Sequence, residues 1–190
     1  MTAISFLPFP QIITERLSLR QLRLNDAKEI FALRTNEIVN KYLNRSKPTS
    51  LEDAKDFIKK INLGINADEW IYWAICLKKH KKLSGTICLW NFSDEENKAE
   101  IGYELLPQFH GKGIMQEAFS KVVEFGFVTL QLDMIEACTM LQNENSIKIL
   151  ERNHFKRDTG LESKIDRTIE GPDTIIYSLP KKLFKLQVAV

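Results

Sequence analysis

The stretch Gln108-Phe109-His110-Gly111-Lys112-Gly113-Ile114-Met115 constrains this chain most. It lies between an apolar, strand-like run over 99–106 and a helical pattern over 114–127, where Ile114, Met115, Ala118, Phe119, Val122, Val123 and Phe127 recur at helical spacing. Two glycines one residue apart at a strand-to-helix turn allow tight packing and positive φ. The first-turn N–H groups of the helix then have no partner inside it. They stand at the positive end of the helix dipole, which suits an anion. The loop therefore implies a phosphate-bearing ligand; the plainer reading is a tight turn. A Walker loop is excluded because Gly113, not Ser or Thr, follows Lys112. The dinucleotide fingerprint is excluded because Gln116 stands where its third glycine belongs and the loop lies past mid-chain.

A chain of 190 residues suits one domain with its own core, so 1–190 is read as a single unit. The net charge of +2 gives no case for a nucleic-acid partner. The run Lys78-Lys79-His80-Lys81-Lys82 falls between two strand patterns and reads as a solvated hairpin tip. Cys76, Cys88 and Cys138 are odd in number, form no Cys-x-x-Cys pair and sit in apolar runs, as reduced core thiols of a cytoplasmic protein would. His80, His110 and His154 are too far apart for metal-ligand spacing, so no metal is expected. The apolar segment 1–13 carries Pro8 and Pro10 and lacks a positive leader, unlike a signal peptide. No apolar run reaches the about 18 residues that a membrane span needs.

Alternation over 16–20 predicts a strand. Asn25 is a candidate cap for a helix to Thr35, and Thr49-Ser50-Leu51-Glu52-Asp53 is a capping-box start for a helix over 51–63. Strands are expected over 70–77, 83–90 and 99–106 as an antiparallel meander. After the glycine loop and its helix come a strand over 134–139, a helix over 143–152, a short strand opened by Phe155, a longer connection over 160–171 and a strand over 174–179. The tail 180–190 shows no period. Trp70, Trp73 and Trp90 read as core. This order predicts an α/β chain: one mixed, mostly antiparallel sheet with helices on both faces.

Four blocks, in order, resemble the GNAT superfamily of acetyltransferases, and within it the RimJ/RimL-like branch that acetylates N-terminal amines of ribosomal proteins. They are Ile13-Thr14-Glu15-Arg16-Leu17-Ser18-Leu19-Arg20, Ala99-Glu100-Ile101-Gly102-Tyr103-Glu104-Leu105, the glycine loop through Ala118, and Asn143-Glu144-Asn145-Ser146 with Leu150-Glu151-Arg152-Asn153-His154-Phe155. Asp173 and Tyr177 match the ending, so the resemblance spans about 13–179. His154 replaces a usual glycine and implies a left-handed residue there; His110 replaces a common tryptophan.

The resemblance implies a splayed pair of central strands holding acetyl-CoA as co-substrate. Backbone N–H groups of His110, Gly111, Lys112, Gly113, Ile114 and Met115, in a loop opened by Gln108, would bind the pyrophosphate, with Lys112 adding charge. Backbone groups near Leu105 and Leu106 would pair with the pantetheine, and one N–H there would hold the thioester oxygen. Asn143 would hydrogen-bond the pantetheine, or cap its helix, or both. Ser146 is the candidate acid for the leaving thiolate, or a helix-start hydroxyl. Glu100, then Glu104, are candidate bases, or solvated polar positions. Tyr177 is a further acceptor-pocket candidate. The reaction implied is direct attack of a primary amine, a protein N-terminus or a small amine, on the thioester. The alternative is a non-catalytic acyl-CoA-binding or regulatory module. A homodimer is expected only because that is the commonest symmetric assembly.

Overall fold

A computed structural model describes residues 5–164, 166 and 171–188. The start of the apolar segment 1–13, part of the connection 160–171 and the last two residues of the tail lie outside the described residues. Eight strands form one sheet: β1 (Ile12–Ile13), β2 (Leu17–Arg20), β3 (Ile71–Leu77), β4 (Leu83–Ser93), β5 (Lys98–Leu105), β6 (Met134–Met140), β7 (Lys156–Arg157) and β8 (Thr174–Pro180). Their order across the sheet is β1-β2-β3-β4-β5-β6-β8-β7. Every neighbouring pair is antiparallel except β5 and β6. That parallel pair is joined by α4 (Ile114–Glu124), the crossover that a parallel pair requires.

Helices α1 (Ala27–Thr35), α2 (Glu37–Asn40) and α3 (Leu51–Asn66) precede the meander, and α5 (Glu144–Arg152), α6 (Thr159–Glu162) and α7 (Lys181–Val188) follow β6. Adjacent residues of a strand point to opposite faces. Tyr72 packs edge-on against Phe57 of α3, with ring centres 6.1 Å apart. Its neighbour Trp73 packs edge-on against Phe125, just past α4, at 5.4 Å. The sheet is thus covered by α3 on one face and by α4 on the other, and Tyr103 and Phe155 join the α4 layer through Phe119. β3 and β4 as far as Leu89 are almost wholly buried, as central strands with two covered faces must be, whereas β4 runs out to solvent from Trp90.

Local chemistry sets the element ends. Ser50 accepts from the Asp53 N–H while the Asp53 carboxylate accepts from the N–H of Thr49 and Ser50, the reciprocal cap that starts α3. α1 starts differently from the expectation. A 3-10 turn over Leu24–Asp26 precedes it, Asp26 rather than Asn25 is its cap, and Asp26 is held by a two-pronged pair with Arg20 at 2.7 Å on each oxygen. α5 ends in His154 at φ 65°, with the Phe155 N–H bonded to the Leu150 carbonyl, a Schellman closure in which histidine takes the usual glycine's place. The expected helix over 114–127 becomes a π-helical turn at Phe125–Thr129. The tail, which has no readable period, is helical from Lys181. Cys138 and Trp90 are exposed rather than core.

Candidate active site

The glycine loop sits where β5 leaves the sheet. A 3-10 turn, Pro107–Phe109, follows β5, and Gly111 and Gly113 both hold φ 70°. Gly113 caps α4 from the left-handed region. Nothing lies within 4 Å of where a side chain on Gly111 would start. The His110 N–H, expected among the pyrophosphate donors, is instead spent on the Pro107 carbonyl at 3.0 Å, because the 3-10 turn carries through to it. Among the described residues, none accepts a hydrogen bond from the backbone N–H of Gly111, Lys112, Gly113, Ile114, Met115 or Gln116. Six consecutive donors at a helix start therefore line an open cradle suited to a diphosphate. The Lys112 ammonium folds back to the Gln108 carbonyl at 2.8 Å.

The loop is held from behind. Arg16 donates to the carbonyls of Lys112 (2.9 Å) and Gly113 (3.1 Å) and to the Glu117 carboxylate (2.6 Å). Glu117 also accepts from the Arg16 N–H and the Thr14 hydroxyl. With its carbonyls tied back, the loop keeps its N–H groups turned to the cradle. Burial raises the Glu117 carboxyl, but the hydrogen bonds from Thr14 and Arg16 outweigh it and hold the group below its usual value.

A wedge opens beside the cradle. β5 and β6 pair only at Lys98–Met134, Ala99–Ile135 and Glu100–Glu136. β5 then runs on to Leu105 and β6 to Met140 with no further rung between them among the described residues. The Leu106 N–H donates to Ser84 on the β4 side, so strand alternation turns the backbone groups of Leu105 and Tyr103 toward the wedge. Leu106 itself is used within the chain, because its carbonyl accepts from Phe109. His110 Nε2 lies 2.8 Å from the Leu105 carbonyl, which can only accept, so the ring donates there and ties the loop to the strand end.

The two faces of the wedge carry different groups. On the α4 side, the Tyr103 hydroxyl stands 2.8 Å from the Ser146 hydroxyl of α5 and 3.3 Å from the Ser146 carbonyl. Burial pushes the Tyr103 phenol well above its usual value, against the pull of the Ser146 hydrogen bond, so it stays protonated. Asn143 caps α5 by accepting from the Ser146 N–H at 3.3 Å. On the α3 side, the Glu104 carboxylate takes Arg45 at 2.6 Å, Thr86 at 3.3 Å and Tyr72 at 3.5 Å. Glu100 is half-buried on the same face, at the last rung before the wedge. Tyr177 instead donates to Glu151 on α5, at 3.2 Å. Burial pushes the thiols of Cys76 and Cys88 up to about 11 and about 12, which leaves neither as a thiolate nucleophile. No group of His, Cys, Asp and Glu able to hold a metal occurs among the described residues. None of their helices is long and apolar enough to cross a membrane.

Sequence reasoning missed Arg16, Tyr103 and Arg45. Each acts on a residue at least 43 positions away, and no local spacing advertises such a pair.

The family model for the acetyltransferase (GNAT) domain matches residues 16–156. The uncharacterized N-acetyltransferase YoaA of Bacillus subtilis (strain 168) is 34% identical over 173 residues, 91% of this chain and 98% of that protein. The uncharacterized N-acetyltransferase p20 of Bacillus licheniformis is 36% identical over 172 residues, 90% of this chain and 96% of that protein. The crystal structure of ribosomal-protein-S5-alanine acetyltransferase from Vibrio fischeri superposes with a TM-score of 0.72 at 20% identity, covering 90% of this chain and 97% of the other. That last likeness bears on the fold alone. An open mixed sheet split beside a helix-start cradle, together with a family match over most of the length, places this chain in the GNAT family: it is an acetyltransferase.

Proposed function

We propose that the chain transfers the acetyl group of acetyl-CoA to a primary amine, by direct attack of the amine on the thioester carbon. The observation that carries this reading is the junction of six unpartnered N–H groups with a wedge between two strands. A diphosphate fits the first, and an extended amide-bearing arm fits the second. The amides of Gly111 to Met115 would bind the pyrophosphate, with Lys112 as a swinging charge. The backbone of Leu105 and Tyr103 would pair with the arm as a missing strand would. A wedge-facing N–H of these two would receive the thioester oxygen as it becomes negative. Asn143, which caps α5, would also hydrogen-bond the arm.

As the amine nitrogen bonds to the carbonyl carbon and the C–S bond breaks, the thiolate takes a proton from Ser146, whose hydroxyl Tyr103 holds at 2.8 Å, and the pair regains that proton from solvent before the next turnover. The amine loses a proton to a carboxylate or to water. Glu100, with Glu104 second, is the candidate base; both lie on the α3 face of β5, and Glu104 is paired with Arg45. The acceptor class is a protein N-terminus or a small amine.

Two measurements test this. Acetyl-CoA should raise the melting temperature, since a ligand at a hundredfold excess over its dissociation constant stabilises by about 2.7 kcal/mol. CoA thiol should then appear when an amine is added. A larger shift with NAD or ATP, or no thiol with any amine, overturns the reading.

A further inference from the structure

Two guanidinium groups and one carboxylate meet on the α3 face beside the wedge. The Arg45 charge is matched: it pairs with Glu104 at 2.6 Å and donates to the Asn40 side chain at 2.8 Å. Arg34, on α1, is not matched. Its guanidinium carbon lies 4.0 Å from the centre of the Phe57 ring, and among the described residues no hydrogen bond or ion pair engages it. Phe57 packs on Tyr72, and Tyr72 reaches Thr86 and Glu104, so the Arg34 head belongs to the Glu104 cluster. Burial and then repulsion from Arg45 lower the Arg34 pKa, and Glu104 and Tyr72 only partly oppose this. A half-buried cation over an aromatic face, with five donors and no acceptor, is the arrangement that receives a planar or tetrahedral oxyanion.

Resting on the acetyl-transfer reading above, we propose that Arg34, with Arg45 behind it, forms an anion subsite on the α3 face beside Glu104, where the acceptor docks, so that the acceptor is a primary amine carrying a carboxylate or a phosphate. The anion sits on Arg34, and the nitrogen is thereby directed toward the wedge. A polyamine, cationic at every end, meets the unmatched Arg34 charge there and is disfavoured.

Thiol release from acetyl-CoA by the full chain, with matched amines, tests this. Phosphoethanolamine is set against ethanolamine, β-alanine against propylamine, and spermidine is included. The anionic member of at least one pair should show a kcat/KM at least tenfold higher, and the larger gap distinguishes phosphate from carboxylate. Arg34→Gln should reduce that ratio at least tenfold, and Arg34→Lys should restore part of it. The KM for acetyl-CoA should stay within twofold, which separates acceptor binding from damage to the loop. Equal or better use of the neutral amines, preference for spermidine, or an unchanged ratio in Arg34→Gln overturns the subsite and leaves acetyl transfer standing. Absence of thiol release with any amine overturns both.

Discussion

Arg16 and Glu117, 101 residues apart in sequence, meet behind the glycine loop with Nε and Oε2 separated by 2.6 Å. Arg16 is nearly half exposed, and a lone surface pair of this kind contributes little. Here the same guanidinium also binds two loop carbonyls, so its effect falls on the shape of the cradle. Arg16→Ala should weaken acetyl-CoA binding about tenfold, the equivalent of one hydrogen bond to a charged group. Calorimetric titration reads this directly. Wild-type affinity in Arg16→Ala would mean that the loop holds its shape unaided.

The same carboxylate sets a pH dependence. Glu117 is depressed in the folded protein, so its pairing adds stability above the unfolded value of about 4.3, and that stability is lost as pH falls through the lower folded value. The melting-temperature gap between wild type and Glu117→Gln should therefore hold steady from about pH 7 to 5 and shrink below about pH 4. Other carboxyls titrate in both proteins and cancel. A gap that stays constant down to pH 3 would refute the assignment.

Gly111 and Gly113 make opposite uses of the same φ of 70°. Gly111 faces open space, whereas a Cβ on Gly113 would stand 3.3 Å from the Arg16 guanidinium. Valine at either site should cost about 1–2 kcal/mol of stability for the left-handed backbone. Gly111→Val should nevertheless lose acetyl-CoA affinity far more than stability, because its side chain would fill the cradle. Gly113→Val should do both, because it also displaces Arg16. Normal acetyl-CoA affinity in both variants would reduce the loop to a turn.

How much of this was legible depended on range. The cradle was readable because Gly111, Gly113 and the apolar stripe from Ile114 lie within one local motif. The Ser50–Asp53 cap was readable for the same reason. α7 was not, because Lys181–Val188 is only eight residues long, too short for its apolar positions to separate a helix from a strand, and β1 is only two residues long. Strand alternation puts Glu100 and Glu104, four positions apart on β5, on one face. That Arg45 occupies Glu104 did not, since the two are 59 residues apart. The same alternation turns Tyr103 to the opposite face, but its partner Ser146 is brought to it only by the crossover through α4 and β6.

The Ser146–Tyr103 pair gives the chemistry its sharpest test. Ser146 alone is a poor acid. The Tyr103 hydroxyl 2.8 Å away holds the Ser146 hydroxyl in place and links it to a second protonated group, although burial makes that phenol reluctant to ionise. Ser146→Ala and Tyr103→Phe should each lower kcat by about 10²–10⁴-fold while the KM for acetyl-CoA moves only a few-fold. If the two act as one relay, the double variant should be hardly slower than either single one, because the second change removes nothing the first left working. Multiplicative losses would mean separate roles. Glu100→Gln should act on the other proton, erasing the acidic limb of the kcat/KM profile, whereas Glu104→Gln should leave that limb in place. If Ser146→Ala, Tyr103→Phe and Glu100→Gln all turn over the true acceptor like wild type, solvent carries both protons. The enzyme then works by holding the amine against the thioester and stabilising its oxyanion, and the catalytic assignments to these three side chains fall.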